Sequence, residues 1–574
     1  MYINRIKQVQ KYLIDNNIDG YLAFLSDDHG SEYITSRFKV ISFLSAFTGS
    51  AGTLLITKDS SYLWTDGRYF LQASIQLLKS NTKLMKIGED TPLIDYINNN
   101  LSSLAFDFTL ATGSFVSKLK TKIINERKLI DNIWTNRPSL SKSKLFIIPD
   151  NKCHMNAFRK CHNTLKHHKT NNKYGVLISA LDDIAYLLNL RGKDIPCNPV
   201  FMSYLFLSKE NDKEQYTLYI DSSKLNKEIK EKLEQEKIMV KPYNKIYKDV
   251  EKFDGIIYCD YSKTNYALYD LMKKPRNRVL WPTINKSIKR KVEINESKKA
   301  HLKDAIAMCK FLYYIKTNVG KKQMDELSVS TYLKKLRKKQ GAYDLSFNTI
   351  CGYKEHGAII HYSATKESNK QIENDGFLLV DSGGQYYYGT TDITRTIALN
   401  NITDKMKYHF TLVLKAHIAL SSAVFDKHTT DASLDHITRK PLWDNNLDYN
   451  HGTGHGVGHI LNVHEGPQSI RYNKVNPIFM KKGMITSNEP GLYFENEYGI
   501  RHENEILCVE LENNKLGFEP ITYVPFDLDG IDVSMLDEKE RKWLNDYHKI
   551  VYDKVNKYLN NKERKFLAIA TKEI

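Results

Sequence analysis

The chain has 574 residues, 41% of them hydrophobic and 26% charged, with a formal net charge of +17, seven Cys, 28 Gly and 14 Pro. A single core stops growing at roughly 250 to 300 residues, so two to four domains are expected, and the low Gly and Pro content excludes collagen-like and Gly/Pro-rich disordered classes. The greasiest stretch, FTLVLKAHIALSSAVF, carries Lys415 and His417 and falls short of the roughly 18 uncharged apolar residues of a membrane span, so no membrane partner is expected.

From the N-terminus, MYINRIKQVQKYLIDN reads as an amphipathic helix without the apolar core of a secretory signal, which points to a soluble intracellular protein. NRIKQVQKYLIDNNIDGYLAFLSDDHGSEYI gives helix, turn, strand and Asp-rich loop, and MNAFRKCHNTLKHHKTNNKYGVLISALDDIAYLLNLRG repeats that order about 150 residues later. A duplicated α/β unit follows, with a hairpin over TLLITKDSSYLWT in the first copy and strands over NPVFMSYLFLS and QYTLYID in the second. A charged linker, NKSIKRKVEINES, then precedes a helix in which Leu302, Ile306, Cys309 and Tyr313 recur at helical spacing, with Asn295 as its cap. These signals place domains at 1–149, 150–292 and 293–574. In the third segment helices are expected over 302–318 and 404–425. FLLVDSGG reads as a strand ending at Asp381, QYYYGTTDITRTIAL as a hairpin carrying Asp392, and MITSNEPGLYF and YGIRHENEILCVE as further strands; the polar tail after Ser534 reads as peripheral.

Cys153, Cys161, Cys197, Cys259, Cys309, Cys351 and Cys508 form no C-x-x-C pair, so free thiols are expected rather than a disulfide framework or zinc ribbon. The positive charge is unevenly spread. Between Asp381 and Glu510, 12 Lys and Arg stand against 15 Asp and Glu, while the excess sits in runs such as KSIKRK (286–291) and KKLRKK (334–339). Such runs read as solvated faces or linkers rather than a nucleic-acid surface.

Within the third segment, Asp381, Asp392, His455, Glu489 and Glu503 each sit in a Gly-flanked or strand-like apolar context. Buried carboxylates are costly unless paired or bound to metal, and four of them with one imidazole carry too much negative charge for a dry site without cations. Two divalent ions balance that charge. His361 in GAIIHYS, His451 and His455 in HGTGHGVGH, and His464 in LNVHEGP form a second set, suited to donating hydrogen bonds to an oxyanion or a proton to a leaving nitrogen. His459, an additional imidazole of the HGTGHGVGH loop, reads as incidental.

With DSGGQYYYGTTDITRT, GAIIHYSAT, HGTGHGVGHILNVHEGP, SNEPGLYFE and GIRHENE, and with AFTGSAGTLLIT, WTDGRYFLQA and LDDIAYLLNLRG upstream, nearly the whole chain resembles the three-domain, cytosolic-type Xaa-Pro aminopeptidases (aminopeptidase P). These belong to the metallopeptidase family whose catalytic domain has the pita-bread fold shared with methionine aminopeptidase, prolidase and creatinase. The resemblance implies two similar α/β, creatinase-like N-terminal domains followed by an α+β pita-bread catalytic domain. It implies that Asp381, Asp392, His455, Glu489 and Glu503 hold two divalent metal ions, Asp392 and Glu503 bridging both, with Mn2+ the usual occupant and Zn2+ or Co2+ alternatives. His361 and His464 would contact substrate and transition state, His451 the proline-side pocket, and Tyr493 and Arg501 would line the site. The implied reaction is hydrolysis of an N-terminal Xaa-Pro bond by a hydroxide held between the two cations, with Glu489 as base and then acid. Peptides with proline second are the implied substrates, and a cytoplasmic homodimer the implied assembly. The alternatives are a prolidase-like dipeptidase and a non-catalytic nucleic-acid- or protein-binding module. Tyr388, where an acidic residue is expected, and Val40 and Ile41, where arginines are expected, depart from the family pattern.

Overall fold

The computed structural model describes residues 1–168, 170 and 173–574; Lys169, Asn171 and Asn172 lie outside the described residues. The chain folds as two compact units, Met1–Ile284 and Asn285–Ile574.

The N-terminal unit contains two six-stranded sheets of one design. In the first, the order is Lys83–Lys86, Ser61–Thr65, Thr53–Thr57, Gly20–Phe24, Ser103–Phe106, Lys122–Asn125. In the second it is Ile238–Lys241, Lys213–Ile220, Ser203–Glu210, Tyr174–Ile178, Ile256–Cys259, Pro275–Asn277. Both begin with a parallel pair, continue through two antiparallel pairs and end on two parallel pairs, so the duplication read from the sequence extends to strand direction. The central strands are apolar throughout because helices such as Tyr2–Asp15 and Ala157–His167 cover them. Where the copies meet, equivalent helix caps pair. Thr112 and Asn265 each cap a short helix, Gly113 N–H donates to Thr264 O (3.1 Å) and Tyr266 N–H to Ala111 O (2.7 Å), as a local two-fold axis requires. Val40 and Ile41 start the helix Val40–Ser45 and are buried in the first copy's core, which accounts for apolar residues at those positions.

The C-terminal unit packs long helices around small antiparallel sheets. Strand Phe377–Ser382 lies between Ile350–Tyr353 and Ile393–Ala398, with Asp381 opposite Ile350 and Thr394. Strand Asn504–Glu510 lies between Ile485–Asn488 and Leu516–Pro520, and Gly491–Phe494 forms a ribbon with Tyr498–Arg501. Two expectations are corrected here. The helix read from Leu302 begins at Lys291, with Arg290 as its cap and Glu293 reaching back to Arg290 N–H; Asn295 lies inside it. The tail is not peripheral: Leu544, Tyr547, Val551 and Leu567 of helices Glu538–Val555 and Asn561–Ala570 belong to the main core. All seven cysteines are free thiols, and no helix among the described residues is long and apolar enough to cross a membrane.

Some charged residues in the core are paired with an opposite charge, Arg337 with Asp304 among them. Arg337 of the KKLRKK run is wholly buried, donates through Nε (2.7 Å) and Nη2 (3.0 Å) to Asp304, and reaches Ser382 O beside Asp381. Removing one partner of such a pair strands the other charge in the core. Arg337→Leu is therefore expected to destabilise the unit by about 3–5 kcal/mol, read as a lowered denaturation midpoint with an unchanged m-value.

Candidate metal centre

The antiparallel pairing that builds the C-terminal unit also collects its acidic side chains. Asp381 is near the end of Phe377–Ser382, Asp392 immediately precedes Ile393–Ala398, Glu489 follows Ile485–Asn488, and Glu503 precedes Asn504–Glu510. His455 lies in Gly454–His455, whose backbone passes so close to the neighbouring strand that a Cβ at Gly454 would fall 2.0 Å from Ser487 O. Three overlapping groups have ligand atoms within 4.8 Å of one another: Asp381, Asp392 and Glu503; His455, Glu489 and Glu503; and Asp392, His455 and His464. His455 Nε2 is 3.5 Å from Asp392 Oδ2 and 3.4 Å from Glu489 Oε1, and the His455 and His464 rings are 4.3 Å apart.

Neighbouring side chains hold three of the four carboxylates. Thr394 Oγ1 donates to Glu503 Oε2 (2.7 Å) and Ser487 Oγ to Glu489 Oε1 (3.1 Å). Arg501 donates from Nη2 to Asp381 Oδ2 (2.7 Å) and from Nη1 to Tyr493 Oη (2.6 Å), and Tyr493 Oη lies 2.8 Å from His451 Nε2. His451, Tyr493, Arg501 and Asp381 therefore form one chain, which places three of the expected substrate-side residues beside the acids. His361 and His451 belong to none of the three ligand groups. His361 sits on the loop following Lys354–Ala358, and the carbonyl of its neighbour Ile360 accepts from Arg501 Nη2 (3.5 Å).

Electrostatics set the resting state of the pocket. Burial pushes Glu489 up to about 7, with Asp381 adding to the effect and Arg501 opposing it. Burial and then the neighbouring Glu503 and Asp381 raise Asp392 well above the carboxylate range, and burial and then Glu489 do the same for Glu503. A pair of divalent cations fits this donor set. Asp381 Oδ1 is buried and accepts no hydrogen bond, the oxygen-rich set with one imidazole suits hard or borderline ions, and His455 Nδ1 lies 3.0 Å from Gly456 O, the tautomer that leaves the Nε2 lone pair facing Asp392 and Glu489.

Several contributors lack a local signal in the sequence. Lys286 and Lys289, from the run read as a solvated linker, are buried against Glu465 beside His464, with Lys289 Nζ 2.8 Å from Glu465 Oε1. Arg395 is buried and donates to the carbonyls of Thr394, Glu503, Val524 and Pro525 and to Asn504 Oδ1. Glu505 Oε1 takes Asp392 N–H (2.8 Å) and its Oε2 lies 3.0 Å from His301 Nε2. His459, read as incidental, is buried with Nδ1 3.4 Å from Ser297 Oγ. Tyr388 is partly exposed at the hairpin that leads to Asp392.

Comparison with known proteins speaks to the family and the fold. Residues 295–510 match metallopeptidase family M24, 5–132 and 136–293 match the creatinase/prolidase N-terminal domain, and 514–574 match the C-terminal region of peptidase M24. A probable Xaa-Pro aminopeptidase P of Laccaria bicolor is 35% identical over 98% of this chain and 91% of its own length. Xaa-Pro aminopeptidase 1 of Dictyostelium discoideum is 35% identical over 96% of this chain and 92% of its own. The crystal structure of X-prolyl aminopeptidase from Caenorhabditis elegans, described as a cytosolic enzyme with a di-nuclear active site, superposes with a TM-score of 0.95 at 31% identity over 100% of both chains. The chain belongs to the metallopeptidase family M24, with two creatinase-type domains ahead of a pita-bread domain.

Without metal, Glu489, raised to about 7, is partly protonated near neutral pH, and Asp392 and Glu503 are shifted in the same direction. Their folded-state values exceed the unfolded ones, so this contribution favours the metal-free fold at low pH and is lost as pH rises through about 7. The melting temperature of the chelated protein should fall from pH 6 to pH 8 more steeply than that of the loaded protein. Loading at pH 6.5 should release protons, measured by calorimetry in buffers of different ionisation enthalpy, and release none if these carboxylates are already ionised.

Proposed function

We propose that this protein is an Xaa-Pro aminopeptidase that removes the N-terminal residue from peptides with proline at the second position. The observation that carries the proposal is the convergence of Asp381, Asp392, His455, Glu489 and Glu503 in overlapping groups, three of them buried and His455 and Glu489 half-buried, in a chain whose relatives bear that name across almost their full length. These five residues would hold two divalent cations, Mn2+ being the occupant the resemblance favours. Such ions lower the pKa of a coordinated water and polarise a carbonyl.

The chain's own residues supply the rest. Glu489, hydrogen-bonded to Ser487, accepts a proton from the attacking water and returns it to the leaving proline nitrogen. His464, against His455, and His361 donate to the scissile carbonyl oxygen as it becomes an oxyanion. Arg501 holds Asp381 and Tyr493, and Tyr493 in turn holds His451, which lines the proline side. The acids retain the substrate's free amino group, which limits cleavage to the first bond. Proline lacks an N–H and fixes φ, so a slot that asks for no donor at that position accepts it. The domain division 1–149, 150–292 and 293–574, which rests on the sequence repeat and linker, and a cytoplasmic homodimer, which rests on the family resemblance, complete the reading; the C. elegans enzyme, described as cytosolic, supports that setting.

Purified protein, chelated and then resupplied with Mn2+ or Zn2+, is expected to release the first residue from an Arg-Pro-Pro peptide, and Glu489→Ala to lose about 10²–10⁴-fold in kcat. Cleavage confined to dipeptides would replace this reading with a dipeptidase. A folded, loaded protein that cleaves neither would leave a binding module.

A further inference from the structure

The loop that carries His361 holds none of the clustered acids, and the group that fixes it comes from another element. Glu326 opens the helix Glu326–Lys339 and is wholly buried. Helix capping does not need it, because Asp325 already accepts from Ser328 N–H. Its carboxylate turns inward and meets four groups. Oε1 accepts from Tyr353 N–H (2.9 Å) and lies 2.8 Å from His356 Nδ1, while Oε2 accepts from the Tyr362 hydroxyl (2.8 Å) and Lys370 N–H (3.1 Å). A carboxylate has about four acceptor positions, so this one is filled.

These four contacts bracket His361. Tyr353 and His356 precede it, and Tyr362 and Lys370 follow it; the His356 ring stacks on Tyr362 at 4.5 Å and 26°. The clasp is closed from the same helix by Glu326 N–H to Lys370 O (3.2 Å) and Leu327 N–H to Asn369 Oδ1 (3.1 Å). His361 thus stands between Tyr362, tied to Glu326, and Ile360, tied to Arg501. Beneath it the loop lies backbone to backbone on the Arg501 ribbon, where a Cβ at Gly499 would fall 1.8 Å from Gly357 O. We infer that Glu326 is a positioning residue for the cleavage proposed above, setting the reach of His361 by clasping both ends of its loop, an inference that rests on the proposed role of His361.

The test compares wild type, Glu326→Gln, Tyr362→Phe, His361→Ala and the two doubles with His361→Ala, all loaded with Mn2+ and assayed for kcat, KM and bound metal on an Arg-Pro-Pro peptide. A glutamine offers one carbonyl oxygen and turns N–H donors toward donors, so Glu326→Gln should lower kcat about 10- to 100-fold with bound metal unchanged. Tyr362→Phe should act in the same direction by a smaller factor. In the His361→Ala background each should cost less than about twofold, since the group they position is gone. Equal losses in both backgrounds, an unchanged kcat in folded Glu326→Gln, or loss of metal with the substitution would overturn the inference. Should Glu326→Gln fail to fold, the Tyr362→Phe comparison decides by the same criterion. A wild-type protein that does not cleave the peptide overturns the functional reading and the inference with it; a His361→Ala variant as fast as wild type overturns the role of His361 and the inference, and leaves the functional reading standing.

Discussion

Mutual repulsion among Asp381, Asp392, Glu489 and Glu503 is the constraint on which the rest of the C-terminal unit depends. Two like charges at 4 Å oppose each other by about 4 kcal/mol even at an effective dielectric of 20, and here the ligand atoms crowd within 4.8 Å in overlapping sets. Left to themselves such side chains would rotate apart or take up protons, and the values at Glu489, Asp392 and Glu503 are raised in that second direction, first by burial and only then by the neighbouring acids. Arg501 meets Asp381 directly, whereas Arg395 directs its donors to backbone carbonyls around Glu503. Protein cations therefore offset part of the charge, and the remainder is what a pair of divalent ions would neutralise.

Holding the acids in place falls to strands. Each lies on or beside a ladder whose register is fixed over several residues, so a carboxylate cannot move without breaking backbone hydrogen bonds. Cross-strand ties add to this: Glu503 N–H donates to Thr394 O (3.1 Å), and Asp392 N–H to Glu505 (2.8 Å). The C-terminal tail joins the same framework, since Tyr547 Oη lies 3.1 Å from Arg395 Nη2 and accepts part of its hydrogen bonding. A tail that looks polar by composition is then part of the core that backs Glu503.

This organisation explains what could be read from the chain and what could not. The duplication, the hairpins, the acids in apolar runs and the Gly-rich histidine loop are local patterns, visible because short-range periodicity and backbone sterics produce them. Lys286 and Lys289 look like solvent-facing residues because the partner that buries them, Glu465, is 176 residues from Lys289. Arg395 and Arg337 escape notice for the same reason: an arginine becomes a core residue when distant carbonyls or a distant Asp304 collect around it. Asn295 is a plausible cap by residue type, yet Arg290 and Glu293 satisfy the helix start one turn earlier. Burial of charge is a tertiary property, and sequence windows do not contain it.

The histidines proposed to face substrate pose a different mechanical problem from the acids, because loops rather than ladders carry them. A loop lacks a repeating hydrogen-bond pattern, so its position has to be set by discrete contacts. Glu326 supplies these for the segment around His361, and a second buried acid does so for His451. Asp435, fully buried on helix Asp431–Trp443, accepts from Thr453 Oγ1, from Arg439 Nε (2.7 Å) and from Tyr472 N–H (3.0 Å). Arg439 then donates to Tyr449 O (2.8 Å) and His451 O (2.6 Å). In both cases a helix turns a carboxylate away from solvent; Glu326 takes its donors from both sides of the histidine, whereas Asp435 takes loop donors from the far side and reaches the near side through Arg439. Desolvating that carboxylate is costly, and only a complete set of donors offsets the cost, which makes the loop geometry nearly all-or-none. Strands therefore position the proposed ligands, helix-borne carboxylates position the proposed substrate contacts, and the two sets meet at Arg501, which touches Asp381 on one side and Ile360 O on the other.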